Sequence, residues 1–411
     1  MDAGAIAAEV QAGRSAVDVV EEALARIREL DPGIRAFREV STVAREDAAA
    51  VDENPDRASL PLAGVPVAVK ENVGPDHEIV RRWRGAGAVV VGTTRMPELA
   101  IWPMTDDPTG ITRNPQDPRV TAGGSSGGAG AAVATGMVAL AHGTDGLGSI
   151  RIPSAVCGVV GIKPGRGLLP TDMPAGSWLG LSEHGVLARS AADVALGLDV
   201  LAGRSPTPLE EPTGLRISVD LRNPVRGMAV SAADRQAVAT AAAVLAGAGH
   251  TVVEGGPAQP ASLGPHGSML WTVAVNAEVE ELGLDRAALQ PRSRRHAALG
   301  RRLARFAGPG PRAAWRARCE AWFAEGRDVL LTPTLAADPP PAEDWHLRPW
   351  RSNILAALRY APFAAPWNLA ALPALSVPVG HRPTGLRGAV QLIGPPGSER
   401  RLLALAAQLP L

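Results

Sequence analysis

The apolar positions of this chain follow two periods that alternate along it. In residues 15–30, "SAVDVVEEALARIREL", Val17, Val20, Leu24 and Ile27 recur at helical spacing, and Ser15 followed by Asp18 is a start signal of the capping-box kind. In "LAGVPVAVKENV" the period drops to two, with Val65, Val67 and Val69 alternating as in a strand that delivers Lys70 at its end. "EIVRRWRGAGAVVVGTT" then reads as a helix, a glycine stop and a buried strand over Ala88–Val91. A polar loop, "DDPTGITRNPQDPRVTA", leads into "TAGGSSGGAGAAVATG", two adjacent serines among glycines running into a small-residue, helix-like stretch. Farther on, "RDVLLTPT", "LPALSVPVG" and "GAVQLIG" read as short core strands. Strands alternating with helices predict an α/β fold. Residues about 205–325 are less legible: alanine-rich helical patterns with arginine runs such as "PRSRRH", read as a solvated face.

Composition removes several classes of function. The 411 residues suffice for a large buried core, and no fixed-period repeat or long linker divides them, so a single domain over 1–411 is expected. Lys and Arg number 41 and so do Asp and Glu, which leaves no bulk charge to attract nucleic acid or an anionic membrane. No apolar run approaches the ~18 residues of a membrane span, and the N-terminus lacks a basic-then-apolar leader. Two cysteines far apart, Cys157 and Cys319, suggest a reducing compartment, so a cytoplasmic protein is expected. Of the basic residues only Lys70 and Lys163 are lysines. A biased genome accounts for the skew, yet lysine alone of the two can shed its proton in a buried site.

The glycine-serine loop admits several readings. A phosphate loop of the Walker type needs Lys and then Ser or Thr after its second glycine, and "GGSSGGAGAA" has no lysine. A dinucleotide fingerprint follows a strand directly, whereas "RNPQDPRVTA" precedes this loop. "GSSGG", Gly124–Gly128, matches the nucleophile elbow G-x-S-x-G with Ser126 as nucleophile, again without the preceding strand. His184, His250, His266, His296, His346 and His381 are its candidate bases. A second glycine-flanked serine, Ser149, stands downstream in "ALAHGTDGLGSIRIPSAVCGVVGIKPGRG".

With these segments together, the chain resembles the amidase signature family. The resemblance is carried by "GVPVAVKEN" at 64–72, "GGSSGG" at 123–128, "GTDGLGSIRIP" at 143–153 and "CGVVGIKP" at 157–164. "RMPELA", "TRNPQDP", "GVLARSAADVAL", "DVLLTPT", "PWNLAALPALSVPVG" and "GAVQLIG" extend it in the same order over most of the chain. It implies a central mixed β-sheet flanked by helices on both faces, with a signature core over about 60–200 and strands returning to the core over about 326–411. It also implies an amidase that hydrolyses a small-molecule carboxamide through an acyl-enzyme, without metal, nucleotide or redox cofactor. Ser149 would be the nucleophile, Ser125 the bridging serine after a cis peptide bond, and Lys70 the base. The backbone N–H groups of Gly146, Leu147, Gly148 and Ser149 would hold the oxyanion.

The chemistry is coherent. A serine hydroxyl needs an adjacent base, and lysine serves only when neutral. Bringing its pKa from about 10.4 to about 7 disfavours the ammonium by about 5 kcal/mol, within reach of burial. Asp145 reads equally as a brace for the oxyanion loop or as a turn cap. Arg151 reads as a partner of a nearby carboxylate before it reads as a substrate-orienting group. Lys163 and Cys157 read as structural.

Two departures from the family pattern stand out. Leu147 replaces a glycine, which would be strained were φ positive there. The segment after Lys70, "KENVGPDHEIVRR", is short, so Lys70 is expected to be more exposed, with a homo-oligomer or partner chain as a candidate cover. The same three residues would serve acyl transfer, cyclisation or a glutamine-hydrolysing transamidation subunit. A lapsed enzyme retained as a binding or assembly protein is the reading from another class.

Overall fold

The computed structural model describes residues 1–170 and 172–410. Among these, eleven strands form one sheet. They are β1 (Phe37–Val40), β2 (Pro66–Lys70), β3 (Val89–Thr94), β4 (Leu140–Asp145), β5 (Val160–Lys163) and β6 (Glu183–Ala188), then β7 (Arg216–Val219), β8 (Thr251–Glu254), β9 (Val329–Pro333), β10 (Ala374–His381) and β11 (Arg387–Ile393). Their order across the sheet is β1-β3-β2-β4-β6-β5-β10-β11-β9-β7-β8. β2 runs parallel to β3 and β4, whereas β6 is antiparallel to β4 and β5, so the sheet is mixed.

Position in the sheet explains the strand sequences. Val67 of β2 pairs with Val90 on one side and Leu140 on the other, and every residue of β2 is buried. A strand covered on both faces must be apolar nearly throughout. Lys70, the last residue of β2, is therefore carried into the interior by the strand itself. Both faces bear helices. A Cβ at Gly197 of helix Ala191–Leu201 would lie 3.2 Å from Leu140, and one at Gly143 would lie 3.0 Å from Ser126 Oγ, beside helix Gly127–Ala134. Residues 140 and 143 differ in parity and so face opposite sides of β4.

The helix expected over 15–30 spans Ala16–Ile34, with the Ser15 hydroxyl accepting from the Asp18 N–H. The strand expected over 88–91 spans Val89–Thr94. The 205–325 region contains the helices Ala232–Gly247, Leu263–Glu281, Pro291–Leu303 and Gly310–Ala324, and also β7 and β8, which the pattern did not announce. β8 closes one edge of the sheet, none of its four residues is fully buried, and it lacks an inside–outside alternation to read. The "PRSRRH" run is solvated only in part. Arg294 and Arg295 are exposed, whereas Arg292 is buried, with Nη1 3.0 Å from Asp106 Oδ1.

Helices Leu263–Glu281 and Pro291–Leu303 pack at Gly300, where a Cβ would stand 1.8 Å from the Thr272 carbonyl oxygen. Only glycine permits this approach, and the first of the two helices forms a wall of the cavity described below. Gly300→Ala should lower the unfolding free energy by about 1–3 kcal/mol in denaturant titrations, as overpacking of a closed contact does.

Candidate active site

Lys70 Nζ lies 2.7 Å from Ser125 Oγ and 2.8 Å from Thr144 Oγ1, and its side chain is wholly buried. Three elements make the cluster: β2 supplies Lys70, its neighbour β4 supplies Thr144, and the loop before helix Gly127–Ala134 supplies Ser125. The Gly124–Ser125 peptide is cis, as the family resemblance implies. A Cβ at Gly124 would lie 2.5 Å from the Trp102 carbonyl oxygen, so the loop passes too close to its neighbour for any side chain. Burial pushes the Lys70 ammonium down to about 7, against the opposing fields of Asp145, Glu71 and Glu278.

Ser149 stands on the turn between β4 and helix Arg151–Cys157 and is half-buried. With Ser125, Thr144, Asn72, Trp178 and Glu278 it lines a cavity of about 380 Å³. It also lines a larger, mainly apolar cleft of about 940 Å³, walled by Ile101, Leu147, Ile152, Trp178, Leu263, Trp271 and Leu369. The two serine hydroxyls share the smaller cavity without a direct hydrogen bond between them.

Asp145 organises the turn. Its carboxylate accepts from the backbone N–H groups of Gly148 (2.6 Å), Ile150 (3.2 Å) and Arg151 (3.4 Å). It also accepts from Arg151 Nε and Nη2, both at 2.9 Å, and from Asn368 Nδ2 at 3.0 Å. Burial alone would raise its pKa, but the Arg151 guanidinium overcomes this and holds the carboxyl well below the usual range. Arg151 is itself wholly buried, with further bonds to the Ala364 carbonyl and Gln391 Oε1. Its role is thus to pair with Asp145, out of contact with the cavity. The Gly148 N–H, expected among the oxyanion donors, is spent on Asp145. The N–H groups of Gly146, Leu147 and Ser149 have no acceptor among the described residues.

Leu147 causes no strain. The positive φ of this turn, 129°, falls at Gly148, where a Cβ would also meet Ala364 and Ile152 at 2.7 Å. Leu147 instead projects into the apolar cleft wall. The expectation of an exposed Lys70 is likewise overturned. The segment Met173–Trp178 and helix Leu263–Glu281, through Glu278, close over the site within the chain. Trp178 and Trp271 line the cleft beside Ser149, although aromatic residues make up only 3% of the sequence.

The remaining candidates separate cleanly. Ser126 is wholly buried and its hydroxyl donates to the Thr144 carbonyl at 3.4 Å, so it is no elbow nucleophile. Lys163 donates to the Pro164 carbonyl at 2.7 Å, and burial, reinforced by Arg151, pushes it down to about 8. Cys157 and Cys319 are free, buried thiols, and burial raises the pKa of both. Thr144, Asn72 and Glu278 are site residues that sequence reasoning missed. Thr144 adjoins the Asp145 motif and was open to reading, whereas Glu278 lies in the featureless helical region. His77, Asp172 and His184 have metal-like spacing, with His77 Nε2 2.8 Å from Asp172 Oδ1. His77 Nδ1 accepts the Ile79 N–H at 3.2 Å, which leaves the ring proton on Nε2 as a donor to Asp172. His184 is not joined to that pair by a hydrogen bond: its Nε2 stands 3.6 Å from Asp172 Oδ1, and its Nδ1 lies 2.8 Å from His142 Nε2.

These features define an α/β protein in which a buried lysine meets a serine at the edge of a cavity. The family model described as Amidase matches residues 18–75 and 74–403, and the chain belongs to the amidase family, hydrolases of amide bonds. The Mycobacterium tuberculosis protein named "Putative amidase AmiB2" is 37% identical over 427 residues, spanning 95% of this chain and 91% of its own. The 6-aminohexanoate-cyclic-dimer hydrolase of Paenarthrobacter ureafaciens is 32% identical over 481 residues, spanning 99% and 94%. The solved structure of a 6-aminohexanoate cyclic dimer hydrolase complexed with substrate superposes with a TM-score of 0.90 at 30% identity, covering 100% of this chain and 97% of that one. Among the described residues no helix is long and apolar enough to cross a membrane.

Asp145→Asn keeps the shape of the brace but leaves Arg151 a buried cation without its anion. Thermal and denaturant unfolding should show a loss of about 3 kcal/mol or more.

Proposed function

We propose that the chain hydrolyses a carboxamide through an acyl-enzyme on Ser149, with Ser125 as proton relay and Lys70 as the neutral base. The observation that carries this reading is the contact of 2.7 Å between a fully buried Lys70 Nζ and Ser125 Oγ. With one N–H directed to Thr144 Oγ1, the neutral amine can turn its lone pair to the Ser125 hydroxyl. Ser125 donates its proton to Lys70 while accepting one from Ser149, which attacks the amide carbon. The free N–H groups of Gly146, Leu147 and Ser149 are the donors available to the resulting oxyanion. Collapse of the adduct expels the amine, which takes its proton back through Ser125. Water then repeats the sequence and releases the acid. The apolar cleft suits an aliphatic or aryl acyl group. The two reduced, buried cysteines support a cytoplasmic location.

Ser149→Ala should abolish turnover and labelling by a fluorophosphonate probe. Lys70→Arg should do nearly the same, since guanidinium keeps its proton; ammonia or amine release from a panel of aliphatic and aryl amides measures both. An active Lys70→Arg variant would remove the base assignment.

The pH dependence has a definite sign. The working form is unprotonated Lys70, so kcat/KM should climb from acid towards alkaline pH with an inflection near the lysine's lowered pKa of about 7. A flat profile across that range would refute the neutral-lysine mechanism.

A further inference from the structure

Ser149 borders two cavities, and an amide bond has two sides; the cleft is walled mainly by apolar side chains, whereas the smaller cavity sets Asn72, Ser125, Thr144, Ser182 and Glu278 among its apolar walls. Gly124 and Leu147 accompany Ser149 in the apolar cleft, whereas Ser125, Thr144 and Glu278 accompany it in the smaller one. Ser125 returns the proton to the departing nitrogen, so the nitrogen side of the substrate belongs in the cavity that contains Ser125. The acyl side is left to the apolar cleft.

Glu278 is the anomaly of the nitrogen side. It is half-buried on helix Leu263–Glu281, and its hydrogen-bond partner among the described residues is the Trp178 indole N–H at 2.7 Å. The charged groups acting on it are Lys70 and Glu281. Lys70 is the only cation of the two, and it must be neutral to act as base. With Lys70 neutral, and at a pH above the raised pKa of Glu278, the cavity contains a carboxylate without a counter-charge. A carboxylate partly withdrawn from water in that condition is disfavoured unless something pairs with it. Burial indeed pushes Glu278 up to about 7, in keeping with an unmet charge.

We infer that Glu278 is a specificity-determining residue that binds a cationic group, an alkylammonium, on the leaving-amine side of the substrate. The inference rests on the amidase reading above, in that the acyl-enzyme mechanism assigns the nitrogen to this cavity. The ammonium supplies the positive charge that neutral Lys70 does not, while the Trp178 indole keeps the carboxylate oriented. The substrate class is thus an N-(aminoalkyl) amide of an apolar acid: acyl chain in the cleft, ammonium at Glu278.

The test compares N-(2-aminoethyl)hexanamide with N-propylhexanamide, near-isosteres that differ in the terminal charge, at pH 8. Wild-type protein should favour the cationic amide by about tenfold or more in kcat/KM, and Glu278→Gln should bring the ratio close to one. The same pair, titrated calorimetrically into Ser149→Ala protein with and without Glu278→Gln, reads the preference without turnover. Fluorophosphonate labelling of wild-type Ser149 reports separately on the nucleophile, so an inactive enzyme and a missing cation site give different results. A wild-type ratio near one in both arms, or a ratio that survives Glu278→Gln, would overturn the assignment.

Discussion

The exclusion of water from one amine is the constraint on which the rest of the structure depends. Lys70 Nζ has neutral hydroxyls, Ser125 and Thr144, as its hydrogen-bond partners, and three acidic residues oppose its deprotonation from a distance. Burial outweighs them and brings the pKa from 10.5 to about 7. That difference corresponds to about 5 kcal/mol against the ammonium, comparable to the whole net stability of many domains. A central strand covered on both faces is what can sustain it. β2 is flanked by β3 and β4 and carries Lys70 in as a continuation of its apolar run, so burial of the amine follows from burial of the sheet.

A second buried charge does the opposite work. Asp145 is as deeply enclosed as Lys70, yet it stays ionised because Arg151 and three backbone N–H groups surround it. The contrast illustrates how environment alone divides roles among titratable groups. An unpaired amine becomes a base, whereas a paired carboxylate becomes a fixed anchor. Through the Gly148 N–H the anchor sets the turn that presents Ser149, and it leaves the neighbouring amides of Gly146, Leu147 and Ser149 unspent. The departure at Leu147 is absorbed because the unusual backbone angle lies one residue later.

The cover of the site comes from outside the segment that follows Lys70. Met173–Trp178 and the helix bearing Glu278 come from remote parts of the chain and meet over the cavity. Glu278 and Trp178, which touch each other, are therefore both cover and wall. This arrangement places the only carboxylate lining either cavity, among the described residues, on one side of Ser149 and a mainly apolar cleft on the other, and so gives the two halves of an amide different surroundings.

Much of this was readable in the linear order of residues. The period-two pattern before Lys70, the glycine-serine loop, the "GTDGLGSIRIP" segment and the late core strands were legible because each depends on local spacing, which backbone geometry converts directly into strand or turn. Edge strand β8 was not, because a half-exposed strand need not alternate. Arg292 read as surface because its partner Asp106 is 186 residues distant. The reach of Lys70 to Thr144, the capture of the Gly148 N–H by Asp145 and the entry of Glu278 and Trp178 into one cavity were likewise settled by the tertiary structure. The sequence by itself determined which chemical groups are available and which short turns present them. Contact between groups far apart in the chain, and the loss of water that sets their charge, exist only once the sheet and helices have closed around them.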